Sequence, residues 1–288
     1  MKKIPVLLAC ILCYSISFAQ TTGKIVLNKG QKFSVETISN GLITQEAMGQ
    51  TSEIKFVIKS TNTMEVKNAK DTSYTLSNTI TKMKTNMSFM GQEMNYDSEK
   101  KEDQESEMGK NIGKVINHPV DFDINKSGLV VSKNKLADDS TKKSDPGADK
   151  MNGMIENIMG NVNDGCLGLT QAFQPIPRKA KVGYSWSDSL SGEGSKSTST
   201  YTIKELKGND AVVAINRRLQ ITNTAEAEGM EVTNRSTGTV TGEATVDIKS
   251  GLVKLKTTTI ETKGVVEAMG QEVPVTTKIT SVTTVNGN

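Results

Sequence analysis

The chain repeats two short phrases at distant positions, and this repetition constrains its architecture more than any other feature. Glu46–Gln50 reads EAMGQ and returns as Glu267–Gln271. Asp123–Val130 reads DINKSGLV and returns, one residue shorter, as Asp247–Val253. Repetition of this kind usually marks a fold assembled from two copies of one structural unit. Neither phrase carries a recognisable set of catalytic groups.

Between its turns the chain alternates apolar and polar residues. Ile54, Phe56 and Ile58 are predicted to face one way, and their neighbours Glu53, Lys55 and Lys59 the other. Similar runs cover Val240–Ile248 and Val273–Ile279. A period of two with one polar face is typical of antiparallel strands that are solvated on one side. Thr, Val and Ile are plentiful, and they favour strands. We therefore predict a mainly β protein: a curved antiparallel sheet or half-barrel built from two related halves, with one or two helices packed on it.

Glycines mark the positions where strands reverse direction. Four such phrases stand between alternating runs, at Met48, Met90, Met269 and Glu228–Met230. Glycine readily adopts the positive φ of tight hairpin turns, so these phrases predict four hairpins or bulges. The second repeated phrase, which we write DI-SGLV for residues that both copies share, contains Gly128 in one copy and Gly251 in the other. Each glycine predicts a reverse turn for the same reason.

One helix is predicted within Asp103–Asn117. Its apolar residues recur at helical spacing and form one stripe: Met108, Ile112, Val115 and Ile116. The helix must end before Pro119, because the residue that precedes a proline is forced into an extended conformation.

A second predicted helix follows a charged linker and is rich in methionine. Asp145 is placed to cap it. Its apolar stripe contains five candidate ligand-facing residues: Met151, Met154, Ile155, Ile158 and Met159. Methionine is flexible and polarizable, so such a stripe adapts to acyl chains or to varied apolar partners. The alternative is that this stripe is the core face of an amphipathic helix.

These signals divide the chain into a leader and one composite domain. The leader is a signal peptide, residues 1–19, and the β-rich domain covers residues 20–288. Within it, half one spans about 24–135, the linker and Met-rich helix about 136–170, and half two about 177–286. We favour a single domain because the helix would cover a sheet face built from both halves.

The leader predicts export. Two lysines precede an apolar run that ends at Ile16, and the small residues of Ser17–Ala19 suit a signal peptidase. The run is shorter than the ~20 residues of a membrane-spanning helix, so we expect no transmembrane span in the mature chain. The expected location is periplasmic or extracellular. The alternative is a lipoprotein acylated at Cys10, which ends a Leu-Leu-Ala-Cys sequence.

The charge balance argues against a nucleic-acid partner. Removal of the two leader lysines from 35 basic residues leaves 33 against 32 acidic ones. Such a chain has no single-sign field to steer it toward nucleic acid or an anionic membrane. We expect its partner to be a lipid or other apolar small molecule, or an envelope protein.

The residue types needed for common catalytic sites are scarce. His118 is the only histidine, and Cys166 is the only cysteine outside the leader. A Ser-His-Asp triad would have to use His118, and a zinc site needs three or four ligands. No phosphate-binding glycine loop is present. We therefore predict no metal, no cofactor and no enzymatic activity, although a hydrolase that uses an Asp/Glu pair remains an alternative.

Several short motifs resemble an uncharacterised domain-of-unknown-function family of exported Bacteroidota proteins. They are the Ala19-Gln20 leader end, the Pro177…Val182-Gly183…Trp186 segment and the Asp…Ser-Gly-Leu-Val turns. The resemblance implies export and brings no catalytic residues.

Taken with the Met-rich stripe, the composition favours an exported, non-catalytic protein that binds an apolar ligand or an envelope partner. The alternative is a structural or adhesive component of the cell envelope, which the threonine-rich solvent faces favour.

Overall fold

The computed structural model describes residues 23–47, 49–133, 171–178, 180–192, 194–227, 230–268 and 270–287. The predicted signal peptide, nearly all of the linker, the Met-rich helix and Cys166 lie outside these described residues. The assignments made for them therefore stay predictions.

The described residues form twelve strands and two short helices. In chain order they are β1 (Lys32–Ala47), β2 (Gln50–Ala69), β3 (Ser73–Phe89), β4 (Gln92–Asp97), α1 (Lys101–Glu105), α2 (Glu107–Ile112), β5 (Val120–Asn125), β6 (Val130–Lys133), β7 (Ser185–Gly192), β8 (Ser195–Lys207), β9 (Asp210–Ala227), β10 (Met230–Asp247), β11 (Val253–Ala268) and β12 (Gln271–Gly287). No helix in this part of the chain is long and apolar enough to cross a membrane.

All of these strands belong to one open, antiparallel sheet. Its order is β6-β5-β3-β2-β1-β12-β11-β10-β9-β8-β7, and β4 pairs with the part of β3 that β5 leaves free. The predicted mainly β fold and antiparallel pairing are thus confirmed. The first and last long strands are neighbours, since β1 pairs with β12 along most of its length.

The predicted alternation assigns the two faces of the sheet correctly. Ile54, Phe56 and Ile58 are buried, whereas the intervening Lys55 and Val57 are exposed. We call the face that carries the three buried side chains the inner face, and the opposite one the outer face. Cross-strand register extends this definition to every strand, because directly opposed residues share a face.

The four predicted hairpins are present at one end of the sheet, which we call the hairpin end. Their flanking residues pair as Ala47 with Gln50, Phe89 with Gln92, Ala227 with Met230, and Ala268 with Gln271. The pairing of Phe89 with Gln92 leaves a two-residue turn. Met90 and Gly91 have φ values of 51° and 79°, the two positive angles that a type I′ hairpin turn requires.

The two DI-SGLV phrases form the predicted reverse turns at the opposite end. Gly128 and Gly251 have φ values of 80° and 71°. Asn125 closes the first turn by accepting the backbone N–H of Gly128 at 2.9 Å. In the second turn, an Asp247 carboxylate oxygen accepts the N–H of Ser250 at 2.7 Å.

An N-terminal segment, residues 23–28, ties these two turns together. Ile25 donates its N–H to the carbonyl oxygen of Lys126 at 2.8 Å, and Val26 donates to that of Ser250 at 2.9 Å. The repeated turns therefore meet in space. The wider prediction of two related halves stays a prediction.

The larger core, cluster 1, lies at the turn end of the inner face. It combines residues of β5 and β8, which are eight strands apart in the sheet order, with the segment from Ala172 to Ile176. Eight steps in a flat sheet would span about 38 Å, so the sheet must curve around that segment. Phe173 meets Phe33 edge-on with ring centroids 5.9 Å apart. Trp186 is buried there and stacks on Tyr201.

A smaller core, cluster 2, lies on the inner face of β2, β3 and β4. Ile112 and Val115 from the helical region pack into it beside Ile80. The prediction of one continuous helix is wrong, because the chain becomes extended at Ser106 and separates α1 from α2. The Ser106 hydroxyl then accepts the Gly109 N–H at 3.0 Å, so it caps the new helix.

Glycines at the contact between β10 and β11 permit a close approach of these strands. A Cβ atom at Gly242 would collide with the carbonyl oxygen of Thr257, and Gly238 and Gly264 are similarly crowded. Any larger residue at these positions would push the two strands apart.

Candidate functional site

A row of polar side chains crosses the inner face above cluster 1. Ser60, Thr37, Thr283 and Lys256 occupy directly opposed positions on β2, β1, β12 and β11. The hydroxyls of Thr37 and Thr283 lie 3.1 Å apart in a hydrogen bond, and Ser60 is also buried. This row places a lysine beside buried hydroxyl groups.

A second polar row follows one step nearer the hairpin end. The hydroxyls of Ser39 and Ser281 are hydrogen-bonded at 2.8 Å, and Thr258 stands opposite Ser281. Thr258 is buried. We call the two rows together the polar band.

Lys256 is the electrostatically perturbed residue of this band. Burial, and next the positive charge of Arg217, lower the pKa of its ammonium group from 10.5 to about 8. The residue opposite it on β10 is Ala244, which offers no charge. No carboxylate or hydrogen-bond acceptor in the described part of the chain pairs with Lys256.

Arg217 is the second cation on this side of the inner face. Its Nε donates to the Ser199 hydroxyl at 2.8 Å, and Nη2 donates to the Tyr201 hydroxyl at 3.4 Å. Both acceptors are buried neutral groups. Asp188 holds the adjacent inner position on β7, opposite Ser199, yet it forms no ion pair with Arg217. The guanidinium is thus held in place by hydroxyl groups rather than by a carboxylate.

Apolar side chains continue from the polar band toward the hairpin end. They are half-buried, in contrast to the closed core of cluster 1, and we call them the apolar strip: Leu219, Ile221, Ile260, Val266, Val275 and Ile279. Ile260 and Ile279 stand directly opposite each other on β11 and β12. The inner face therefore offers partly accessible apolar surface next to two cations.

The outer face carries a separate groove. It has a volume of about 480 Å³ and crosses β1, β12, β11 and β10. Its lining is mainly threonine, with Leu42 at one end and the Lys278–Glu261 ion pair, 2.9 Å, beside it. No buried charge without an ion-pair partner lines this groove among the described residues.

The five sequence-predicted ligand-facing residues, Met151, Met154, Ile155, Ile158 and Met159, lie outside the described residues. His118 is exposed. Within the described ranges, no group of three or more His, Cys, Asp or Glu residues is arranged to hold a metal ion.

Three described carboxyl groups have lowered pKa values. A glycosidase acid needs a raised pKa, but a lysine ion pair lowers the pKa of Glu99 and of Glu261. Hydrogen bonds from the hydroxyls of Thr75 and Ser132 likewise lower the pKa of Asp123. Such groups are stabilised as carboxylates rather than as proton donors.

The sequence holds a signal for the two inner cations. Arg217 continues the alternation of Val213 and Ile215, and Lys256 shares the alternation of Thr258 and Ile260. A cation at a core-facing position of an alternating strand is uncommon, because burying an unpaired charge is unfavourable.

A comparison with known protein families assigns the chain to one of them. The profile of a family of unknown function (DUF6263) matches residues 71–253, well over half of the sequence. The chain belongs to this family. The match includes Arg217 and ends just before Lys256. The predicted resemblance is confirmed at the level of a family of unknown function, whereas export and a Bacteroidota source stay predictions. No curated protein matches the chain.

Solved structures give only distant matches. An outer membrane channel from Pseudomonas putida F1 has 8% identity and a TM-score of 0.27, with 91% of this chain and 98% of that chain covered. OccK5 (OpdH) from Pseudomonas aeruginosa has 8% identity and a TM-score of 0.26, with 89% and 98% covered. The translocator domain of the autotransporter NalP from Neisseria meningitidis has 7% identity and a TM-score of 0.22, with 90% and 89% covered. TM-scores this low do not establish a common fold.

Proposed function

We propose that this protein is an exported, non-catalytic binding protein that holds an apolar ligand such as a lipid on the inner face of its sheet. The half-buried apolar strip is the observation that carries the proposal. Binding sites for small molecules are concave and mostly apolar, with a few convergent polar groups, and the curved inner face combines these properties. The envelope location is supported by residues 1–19, which have the pattern of an export signal.

Matched substitutions on one strand test this proposal. Ile279 faces inward on β12, whereas Val282 is 37% exposed on the outer face of the same strand. We expect Ile279→Ser to weaken binding of the fluorescent fatty acid cis-parinaric acid by about tenfold, because the ligand loses apolar contact area. Val282→Ser should leave the affinity unchanged. Equal effects of the two substitutions, or no binding by the wild-type protein, would reject the proposal.

Native mass spectrometry provides an independent test with the natural ligand. Protein purified from its own envelope fraction should carry an extra, lipid-sized mass that disappears on denaturation. A bare polypeptide in a preparation that still binds cis-parinaric acid would point to loss of the ligand during purification, and a bare polypeptide that binds none would argue against the proposal.

A structural or adhesive envelope role is the second candidate, and the threonine-lined outer groove favours it. Under this alternative, Thr239→Lys and Thr276→Lys in the groove would release the protein from the envelope fraction. Lipid binding by the same variants would remain intact. Retention of both variants in the envelope would argue against an adhesive role for the groove.

A further inference from the structure

We infer that Lys256 and Arg217 form an anion site that takes the carboxylate of a long-chain fatty acid, with the acyl chain along the apolar strip. This inference rests on the proposed function and deepens it, because it names the chemistry of the ligand's head group. It also assigns a role to two inner-face cations that form no ion pair among the described residues.

Neither inner cation forms an ion pair with a carboxylate of the described residues. Elsewhere on the sheet, lysines pair across strands, as Lys278 does with Glu261 at 2.9 Å. Among the described residues, Lys256 has no such partner, and the hydrogen bonds of Arg217 go to neutral hydroxyls. Two like charges that face one interior repel each other, and a bound anion would compensate both.

The register of the strands leaves space for a head group between the two cations. Arg217 on β9 stands opposite Val240 of β10, and Lys256 on β11 stands opposite Ala244, so the two cations lie diagonally across β10 with Gly242 at the inner position between. Gly242 and Ala244 fill little of the volume above β10 on the side of Lys256. The Thr258 hydroxyl borders the same space from β11, so a head group there would meet both charged and neutral donors.

The charged groups on the inner face favour a head group with a single negative charge. A carboxylate accepts hydrogen bonds from a guanidinium and an ammonium at once. Asp188 faces the same interior beside Ser199, and its negative charge would oppose a phosphate dianion more strongly than a monoanion. The arrangement therefore favours a carboxylate over a phosphate.

The apolar strip accounts for the acyl chain. Ile260 and Ile279 follow directly after the polar band, and Val266 lies farther along the same face of β11. The inner face from Thr258 to Val266 spans about 26 Å at ~3.3 Å per residue. That length accommodates an extended long-chain acyl group next to the cations.

Isothermal titration calorimetry with four probes tests this assignment. The probes are laurate, dodecanol, acetate and dodecyl phosphate, titrated into the wild type, Lys256→Met, Arg217→Met and the control Lys254→Met. Lys254 lies on the same strand but is exposed and paired with Asp210 at 2.8 Å. Circular dichroism of every variant checks that the sheet is retained.

We expect Lys256→Met and Arg217→Met each to weaken laurate binding by about tenfold or more, and to leave dodecanol binding unchanged. Lys254→Met should match the wild type for both probes. Unchanged laurate affinity in both inner variants would overturn the head-group site while the proposed lipid binding survives. Failure of laurate and dodecanol to bind the wild type would overturn the proposed function as well.

The two remaining probes separate the sources of the anion. Acetate should bind far more weakly than laurate, because it lacks the acyl chain. Acetate affinity equal to that of laurate would replace the fatty acid with a small carboxylate and overturn the proposal. Tighter binding of dodecyl phosphate than of laurate, lost in the inner variants, would overturn the carboxylate assignment.

Discussion

Replacement of Lys256 by methionine should stabilise the unliganded protein. Methionine has nearly the same length as the lysine side chain but carries no charge. Burial and Arg217 lower the pKa of Lys256 from 10.5 to about 8. This difference corresponds to roughly 3 kcal/mol at ~1.36 kcal/mol per pKa unit, and it is the most that the protonated lysine costs the fold at pH 7.

The stability advantage of Lys256→Met should depend on pH. Between pH 8 and 10.5 the unfolded chain keeps the Lys256 proton, whereas the folded chain has lost it. Because the unfolded state binds more protons, the free energy of unfolding of the wild type gains a favourable contribution as pH rises through this window. The advantage of Lys256→Met, up to about 3 kcal/mol at pH 7, should therefore shrink to near zero above pH 10.5. The charged groups that face Lys256 are limited, in the described residues, to Arg217.

Equilibrium urea unfolding at several pH values from 7 to 10.5 measures this difference. Other lysines and the tyrosines titrate in both proteins, so the comparison isolates Lys256. Lys254→Met is the control, because Lys254 is exposed and Asp210 raises its pKa by accepting a hydrogen bond. Its replacement should cost at most about 1 kcal/mol. A Lys256→Met protein that is no more stable than wild type at pH 7, or whose advantage does not change with pH, would refute the reasoning.

Three further substitutions test the fold. The buried Tyr74 hydroxyl accepts the backbone N–H of Leu27 and donates to the carbonyl oxygen of Ile25, both at 3.1 Å. Tyr74→Phe removes both hydrogen bonds and should lower the free energy of unfolding, measured in urea, by about 1–3 kcal/mol. Tyr184→Phe, whose hydroxyl has no described hydrogen bond, should change stability little. Gly242→Ala should cost about 1–3 kcal/mol, because its Cβ meets a β11 carbonyl oxygen. The control is Gly192→Ala on β7, where the new Cβ would meet only the Ser195 hydroxyl oxygen, at 3.9 Å. An equal loss of stability in the control would contradict the steric explanation. Phe33→Ala should lower the free energy of unfolding by about 3–5 kcal/mol, and a loss below 1 kcal/mol would show that cluster 1 is not the main core.

Local features of the fold were predictable from the sequence because they depend on neighbouring residues. The alternation around Phe56 predicted which side chains are buried, and Met90-Gly91 predicted a hairpin, since glycine tolerates the positive φ of the turn. The break at Ser106 could not be predicted from the apolar period, because the stripe begins only at Met108 and carries no information on the residues before it. There a serine hydroxyl that caps α2 competes with the continuous helix.

Local sequence patterns could not predict the strand order or the composition of the candidate site. Pairing of β1 with β12 joins Phe33 to Gly287, and no period in the sequence links such distant residues. The proximity of Lys256 and Arg217 depends on the register of three strands. Alternation alone shows that each points inward, but their common neighbourhood follows only from the pairing of β10 with both β9 and β11.

The most direct test of this account is a crystal structure of the protein with palmitate. We predict the carboxylate within hydrogen-bonding distance of Lys256 Nζ and the Arg217 guanidinium, and the acyl chain against Ile260 and Ile279. Palmitate bound in the outer groove, or an inner face that stays empty at saturating palmitate, would contradict the central claim.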